Sequence, residues 1–210
     1  MDRNERGNQL QMGIKAIFFD LGGVLLRTEN RSIRQALGAE FGMTYDQIDA
    51  FVFDCESAKL ATIGKMTEDE HWLDVTRRLN LPATEMPRLR DSFFEGDVLD
   101  LHLVNFLRQA RKSMKTGLIS NAWSGLRPWI YQAKFDDAFD NIVISAEAGW
   151  AKPDARIYEY AMASLGVTPT ESIFVDDVQK NIDGANILGM HGILFKDTPS
   201  TLEEIKKLIA

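Results

Sequence analysis

Ile14-Lys15-Ala16-Ile17-Phe18-Phe19-Asp20-Leu21-Gly22-Gly23 joins a short apolar run, broken by one lysine, to an acid and two glycines. The run has the length and composition of a strand buried on both faces, as in a parallel sheet. Four later stretches read the same way: Thr116–Ser120, Asn141–Ser145, Ser172–Asp176 and Gly192–Phe195. Helical periods separate them. Leu99, Leu103, Phe106, Leu107 and Ala110 form one stripe, and Ile157, Ala161 and Leu165 form another, closed by Gly166 as a C-terminal cap. Val178–Leu188, with Gly189 behind it, is a third. Strands alternating with helices predict an α/β fold with a doubly wound parallel sheet.

The first two strands are too far apart for an ordinary crossover, even after the Leu99–Ala110 helix is set aside. The excess carries its own stripes: Ile33, Leu37, Phe41; Ile48, Phe51, Val52, Cys55; and Trp72, Val75, Leu79. Thr44-x-x-Gln47 and Thr67-x-x-Glu70 are capping-box signatures that start two of these helices. Residues 13–28 and 97–210 are therefore expected to form the sheet domain, with 29–96 a helical subdomain over its carboxyl edge.

Composition narrows the function. Apolar residues are 45% and charged residues 26% of the 210, the balance of a globular chain rather than a disordered one. Lys and Arg number 24 against 31 Asp and Glu, a formal charge of −7, which argues against nucleic acid as the main partner. The single cysteine, Cys55, excludes an intrachain disulfide framework and a cysteine-based zinc site; it reads as core. No apolar run has the length of a membrane span, and the polar Met1–Asn8 stretch reads as a short disordered lead rather than a secretory signal. A reduced, cytoplasmic protein, monomer or homodimer, is the expectation.

The acids supply the chemistry. Asp20 ends the first strand, and Asp176-Asp177 end the fourth of the five runs, followed by Asn181. Taken singly, such aspartates are turn formers or helix caps. If the two strands are neighbours, however, all three carboxylates meet beyond the sheet's carboxyl edge, where ligands of open parallel sheets bind. Two carboxylates ~4 Å apart repel by about 4 kcal/mol at an effective dielectric of 20. Three together take up a proton or recruit a hard cation, for which Mg²⁺ is the natural choice. Ser120, at the end of the second run, suits phosphate binding or plain helix capping, and Lys152, ahead of Pro153-Asp154, could balance the charge or be a surface lysine. Trp123, Arg127 and Trp129 after Ser120 could wall a sugar pocket or simply pack. His71 and His102 read as surface or packing residues, and His191 as structural.

Taken in order, Asp20, Ser120, Lys152-Pro153-Asp154-Ala155-Arg156-Ile157-Tyr158 and Phe174-Val175-Asp176-Asp177 with Asn181, Gly184 and Ala185 make a pattern that resembles the haloacid dehalogenase superfamily. The motifs run from Ile17 to Ala185, and the helical insertion resembles that family's cap. The Asp-Leu-Gly opening looks closest to the helical-capped sugar-phosphate phosphatases, including those acting on glucose 1-phosphate. The resemblance implies a phosphatase for a small phosphorylated metabolite, a sugar phosphate being the expected class. By the same resemblance, Asp20 attacks phosphorus. Asp20, the Gly22 carbonyl, Asp176 and Asp177 hold Mg²⁺, Ser120 and the Asn121 N–H hold the phosphoryl oxygens, and Lys152 offsets their charge and orients Asp20. One departure stands out. Most phosphatases of the family carry an acid–base aspartate two residues after the nucleophile, and this chain has Gly22. The missing acid points to a substrate with a good leaving group, or to a proton from a cap residue or ordered water. It also leaves two alternatives: a metal-independent 2-haloacid dehalogenase-type hydrolase, and a catalytically silent binding module.

Overall fold

A computed structural model describes residues 13–209. Met1–Asn8, the expected disordered lead, lies outside the described residues. Five parallel strands form the main sheet: β1 (Ala16–Phe19), β4 (Lys115–Ser120), β5 (Asn141–Ile144), β6 (Ser172–Asp176) and β7 (His191–Leu194), in the order β5-β4-β1-β6-β7. β1 is central, with Phe19 level with Leu118 on one side and Val175 on the other. Its period-two alternation feeds two cores. Ile17 and Phe19 join Leu118, Ile173 and Val175 on one face; Ala16 and Phe18 join Ile119, Phe174 and Tyr158 on the other. All four residues of β1 are fully buried, which is why the run shows no polar face.

The helices follow from the sequence signals with local adjustments. The long gap contains β2 (Leu26–Thr28), α1 (Arg31–Ala39), α2 (Tyr45–Phe53), α3 (Glu56–Thr62), α4 (Glu68–Arg78), α5 (Met86–Phe94) and β3 (Asp97–Leu99). Both capping boxes form: Gln47 N donates to Thr44 Oγ1 at 3.3 Å and Glu70 N to Thr67 Oγ1 at 3.2 Å, while each partner carboxyl or amide oxygen accepts the cap N–H at 2.8 Å. These helices share their own apolar core of Leu37, Ile48, Val52, Trp72, Val75, Leu89 and Phe93.

Three readings are corrected. Leu99 is not in a helix: it pairs with Leu26 in an antiparallel ribbon of β2 and β3, and α6 (Leu101–Ala110) starts only after Asp100 caps it. Cys55 does not continue the α2 stripe; that helix ends at Phe53, and Cys55 is the half-buried N-cap of α3. Ser145 leaves the β5 run to open the short α8 (Ser145–Ala148). The rest of the chain supplies α7 (Leu126–Gln132), α9 (Ala155–Leu165), α10 (Gln179–Ile187) and α11 (Thr198–Ile209). No helix among the described residues is long and apolar enough to cross a membrane.

Candidate active site

β1 and β6 are hydrogen-bonded neighbours, so the acids at their ends emerge side by side. One carboxylate oxygen from each of Asp20, Asp176 and Asp177 lies within 4.8 Å of the others. Asp20 is held from its backbone, where its N–H donates to Val175 O at 2.8 Å, and from its side chain, where Oδ1 accepts the Leu21 N–H at 2.7 Å. Lys152 reaches in from the loop before α9. Its fully buried ammonium lies 2.8 Å from Asp20 Oδ1 and 2.7 Å from Asp176 Oδ2. Asp20 Oδ1 is thereby spoken for twice, and Oδ2 has no hydrogen-bond donor among the described residues.

Asp176 is the anchor of the group. It is completely buried, accepts the Val178 N–H at 2.8 Å through Oδ1, and takes the Asn181 amide at 3.1 Å on both oxygens, besides Lys152. Asp177 is exposed and has no cation against it among the described residues. Three carboxylates thus face one lysine. Burial outweighs the Lys152 attraction and pushes the Asp20 carboxyl up to about 7, with Asp176 adding to the rise. Burial also raises Asp177, and Asp176 repels its charge. An all-oxygen set with negative charge in excess of its cation fits a hard divalent ion such as Mg²⁺.

The turn after β1 is shaped to admit Asp177. Gly23 has φ +75°, and a Cβ there would fall 2.0 Å from Asp177 Oδ2. Only glycine permits both the left-handed backbone and the close approach. Gly22 is different: a Cβ there would meet nothing within 4 Å, so the absent acid is not a steric necessity.

Ser120, at the carboxyl end of β4 beside β1, is buried on the same edge. The Asn121 side chain does something the sequence did not disclose. Its Nδ2 donates to Lys152 O at 2.9 Å and its Oδ1 accepts the Lys152 N–H at 2.7 Å, clamping the loop that carries the lysine. Tyr158 secures the far side by donating to Asn181 O at 2.8 Å. Asn181, which in the sequence only follows the acids, is their support; its spacing five residues after Asp176, on α10, is the signal for it.

Other residues fall elsewhere. Arg127 pairs with Glu147 at 2.6 Å and donates to Ile142 O, and Trp129 packs on Phe135 against the sheet, so neither walls a sugar pocket with Trp123. Trp123 instead enters the core of the helical insertion. His71 is fully buried, not at the surface, with Nδ1 2.9 Å from Ser57 Oγ; burial lowers it to about 4. His102 is exposed on α6, and His191 is exposed at the start of β7, with Nε2 3.1 Å from Thr170 O.

The model of the haloacid dehalogenase-like hydrolase family matches residues 14–189. The chain belongs to this family. Among its relatives, this haloacid dehalogenase-like hydrolase is 26% identical over 200 residues to the sesquiterpene phosphatase of Aspergillus oryzae, covering 93% of this chain and 96% of that protein. It is 28% identical over 194 residues to the D-ribitol-5-phosphate phosphatase of Bacteroides thetaiotaomicron, covering 84% and 89% respectively. Its fold resembles that of a HAD-family enzyme from the same bacterium, solved with magnesium and inorganic phosphate, with a TM-score of 0.73 at 24% identity over 90% of this chain and 99% of that one.

Proposed function

We propose that this hydrolase is a Mg²⁺-dependent phosphatase that cleaves a small phosphate monoester through a phosphorylated Asp20. The observation that carries the proposal is the convergence of Asp20, Asp176 and Asp177, with a buried lysine paired to the first two. Asp20, Asp177 and the Gly22 carbonyl are the ligands we assign to Mg²⁺, with Asp176 in support; the ion would neutralise charge on the transferring phosphoryl group. Lys152 keeps the Asp20 carboxylate turned by binding Oδ1, which leaves Oδ2 to attack phosphorus. Asn121 and Asp176 hold that lysine in place. Ser120 and the Asn121 N–H are assigned to the phosphoryl oxygens. Water then attacks the phosphorus of the aspartyl-phosphate and releases phosphate, returning the Asp20 carboxylate. Halide displacement from a 2-haloacid would give Asp177 no work, so the phosphatase reading is preferred.

With Gly22 in place of an acid, the leaving group departs without a proton from that position. General acid–base help is worth about 10²–10⁴-fold, so activated esters such as anomeric or acyl phosphates are favoured. The two named relatives share the phosphate ester and differ in its organic half, one a sesquiterpene and the other a polyol. The sugar-phosphate expectation has lost the support of Arg127 and Trp129, which are engaged elsewhere. We assign residues 29–96 as the cap that chooses the organic half. The test is phosphate release from a panel of sugar, acyl and alkyl phosphates with Mg²⁺, with EDTA, and with Asp20→Asn. Release that needs both the ion and Asp20 is expected; release that survives EDTA or Asp20→Asn would overturn the proposal.

A further inference from the structure

β4 ends at Ser120, and the loop that leaves it carries Asn121 and then Trp123, three residues beyond the strand end beside Asp20. It is only 7% exposed, because aromatic rings from the insertion close around it. His71 lies 4.3 Å away between ring centres, Trp72 6.2 Å and Phe53 5.5 Å. Phe53, the last residue of α2, is the exception in this cluster. It is fixed on one side by Trp123 and on another by an edge contact with Phe93 at 5.4 Å, yet it leaves 41% of its surface in solvent. A large ring held by two others, beside the loop of the catalytic edge, with an open face, is a preformed apolar contact.

Inside the cluster little is free for a hydroxyl, whereas Asp54, next after Phe53, and Ser124, next after Trp123, are exposed at its rim. The ring nitrogens His71 Nε2 and Trp72 Nε1 are buried, without partners among the described residues, and out of reach of a ligand. The cation over Phe93, Arg34, lies 4.0 Å from the ring centre and is committed to Asp49 at 2.6 Å and Asp97 at 3.1 Å. Glu68 turns its carboxylate to the Gly125 N–H at 3.0 Å. A polyol laid against the ring faces would leave the hydroxyls turned toward them unpaired, which costs affinity; a hydrocarbon would not.

We propose that Phe53, propped by Trp123, is a specificity residue that receives the organic part of the substrate, and that this part is a hydrocarbon rather than a polyol. The inference rests on the phosphatase reading, which places the phosphoryl group beside Asp20 and Ser120. Phosphonates, which cannot be hydrolysed, separate the two. Calorimetric titration in Mg²⁺ would compare methylphosphonate, hexylphosphonate and 2,3-dihydroxypropylphosphonate on the wild type, Phe53→Ala and Phe53→Leu. Hexylphosphonate is expected to bind at least about tenfold tighter than methylphosphonate, with a more negative heat capacity change, from burial of a few methylenes. Phe53→Ala should erase most of that gain and Phe53→Leu should keep part of it, while methylphosphonate affinity is little altered. The dihydroxypropyl compound should gain nothing over methylphosphonate. Equal affinity for the methyl and hexyl compounds, tighter binding of the dihydroxypropyl compound, or a hexyl gain that survives Phe53→Ala would overturn the inference alone. Failure of every phosphonate to bind would count against the phosphate site itself and take this inference with it.

Discussion

Replacing Lys152 by Met keeps the length of the side chain and removes the charge between two carboxylates. The ammonium is fully buried and lies 2.8 Å from Asp20 and 2.7 Å from Asp176. At an effective dielectric of 20, each attraction is about 6 kcal/mol before the cost of burying the ions is subtracted. Measured losses on breaking buried pairs are about 3–5 kcal/mol, because the abandoned charges stay desolvated. The variant can escape part of this loss by protonating Asp20, whose carboxyl already sits near 7 through burial and whose chief opposing influence is Lys152. A carboxyl raised in the folded state contributes stability that is present below its unfolded value of 3.8 and is lost as pH rises through the folded value. Urea unfolding of the metal-free protein, followed by tryptophan fluorescence, should therefore show a deficit of roughly 3–5 kcal/mol near pH 8 that narrows as pH falls below about 7. Saturating Mg²⁺ should return much of the deficit, since the variant's carboxylates, without the lysine, bind the ion more tightly than the wild type's. A deficit that is absent, or the same at every pH, would refute the view that Lys152 is the cation holding these acids together.

Three further outcomes follow from the same geometry. A Cβ at Gly22 meets nothing within 4 Å, and Gly22→Asp should raise kcat/KM for unactivated alkyl phosphates by about 10²-fold; no gain in steady-state assays would contradict the leaving-group argument. Gly23→Ala places a methyl against Asp177 and a side chain at φ +75°, so calorimetry should show Mg²⁺ affinity reduced by about 10- to 100-fold, with stability lowered by about 1–2 kcal/mol; unchanged Mg²⁺ affinity would mean that Asp177 is not a ligand. His71 is buried and lowered to about 4, so the stability it contributes is complete above 6.5 and is lost as pH falls toward 4; His71→Gln should flatten that part of the stability profile, and an unaltered profile would show that the imidazole titrates freely.

Much of the sheet was legible because β1 and β6 are buried on both faces and read as uninterrupted apolar runs ended by acids. The strand bounds came within a residue or two, and the capping boxes at Thr44 and Thr67 marked their helices correctly. The β2–β3 ribbon was not visible: three-residue strands show too little alternation, and Leu99 happens to continue the helical spacing of Leu103 and Leu107. At the site, the acids, Ser120 and Lys152 were legible as types in order along the chain. The clamp from Asn121 to the Lys152 backbone was not, because a side-chain bond across 31 residues leaves no trace in local pattern. Arg127 and Trp129 misled for the opposite reason: a loop after a strand end looks like a pocket wall until its helix, α7, turns both side chains away.

The phosphorylation of Asp20 is the claim on which the account stands. Wild-type protein would be mixed with Mg²⁺ and acetyl phosphate, quenched in acid within one turnover, digested and examined by mass spectrometry. The account predicts a single phosphoryl group on the peptide that contains Asp20, absent from Asp20→Asn and absent in EDTA. Phosphate released with no label on that peptide, or a label carried equally by Asp20→Asn, would contradict it.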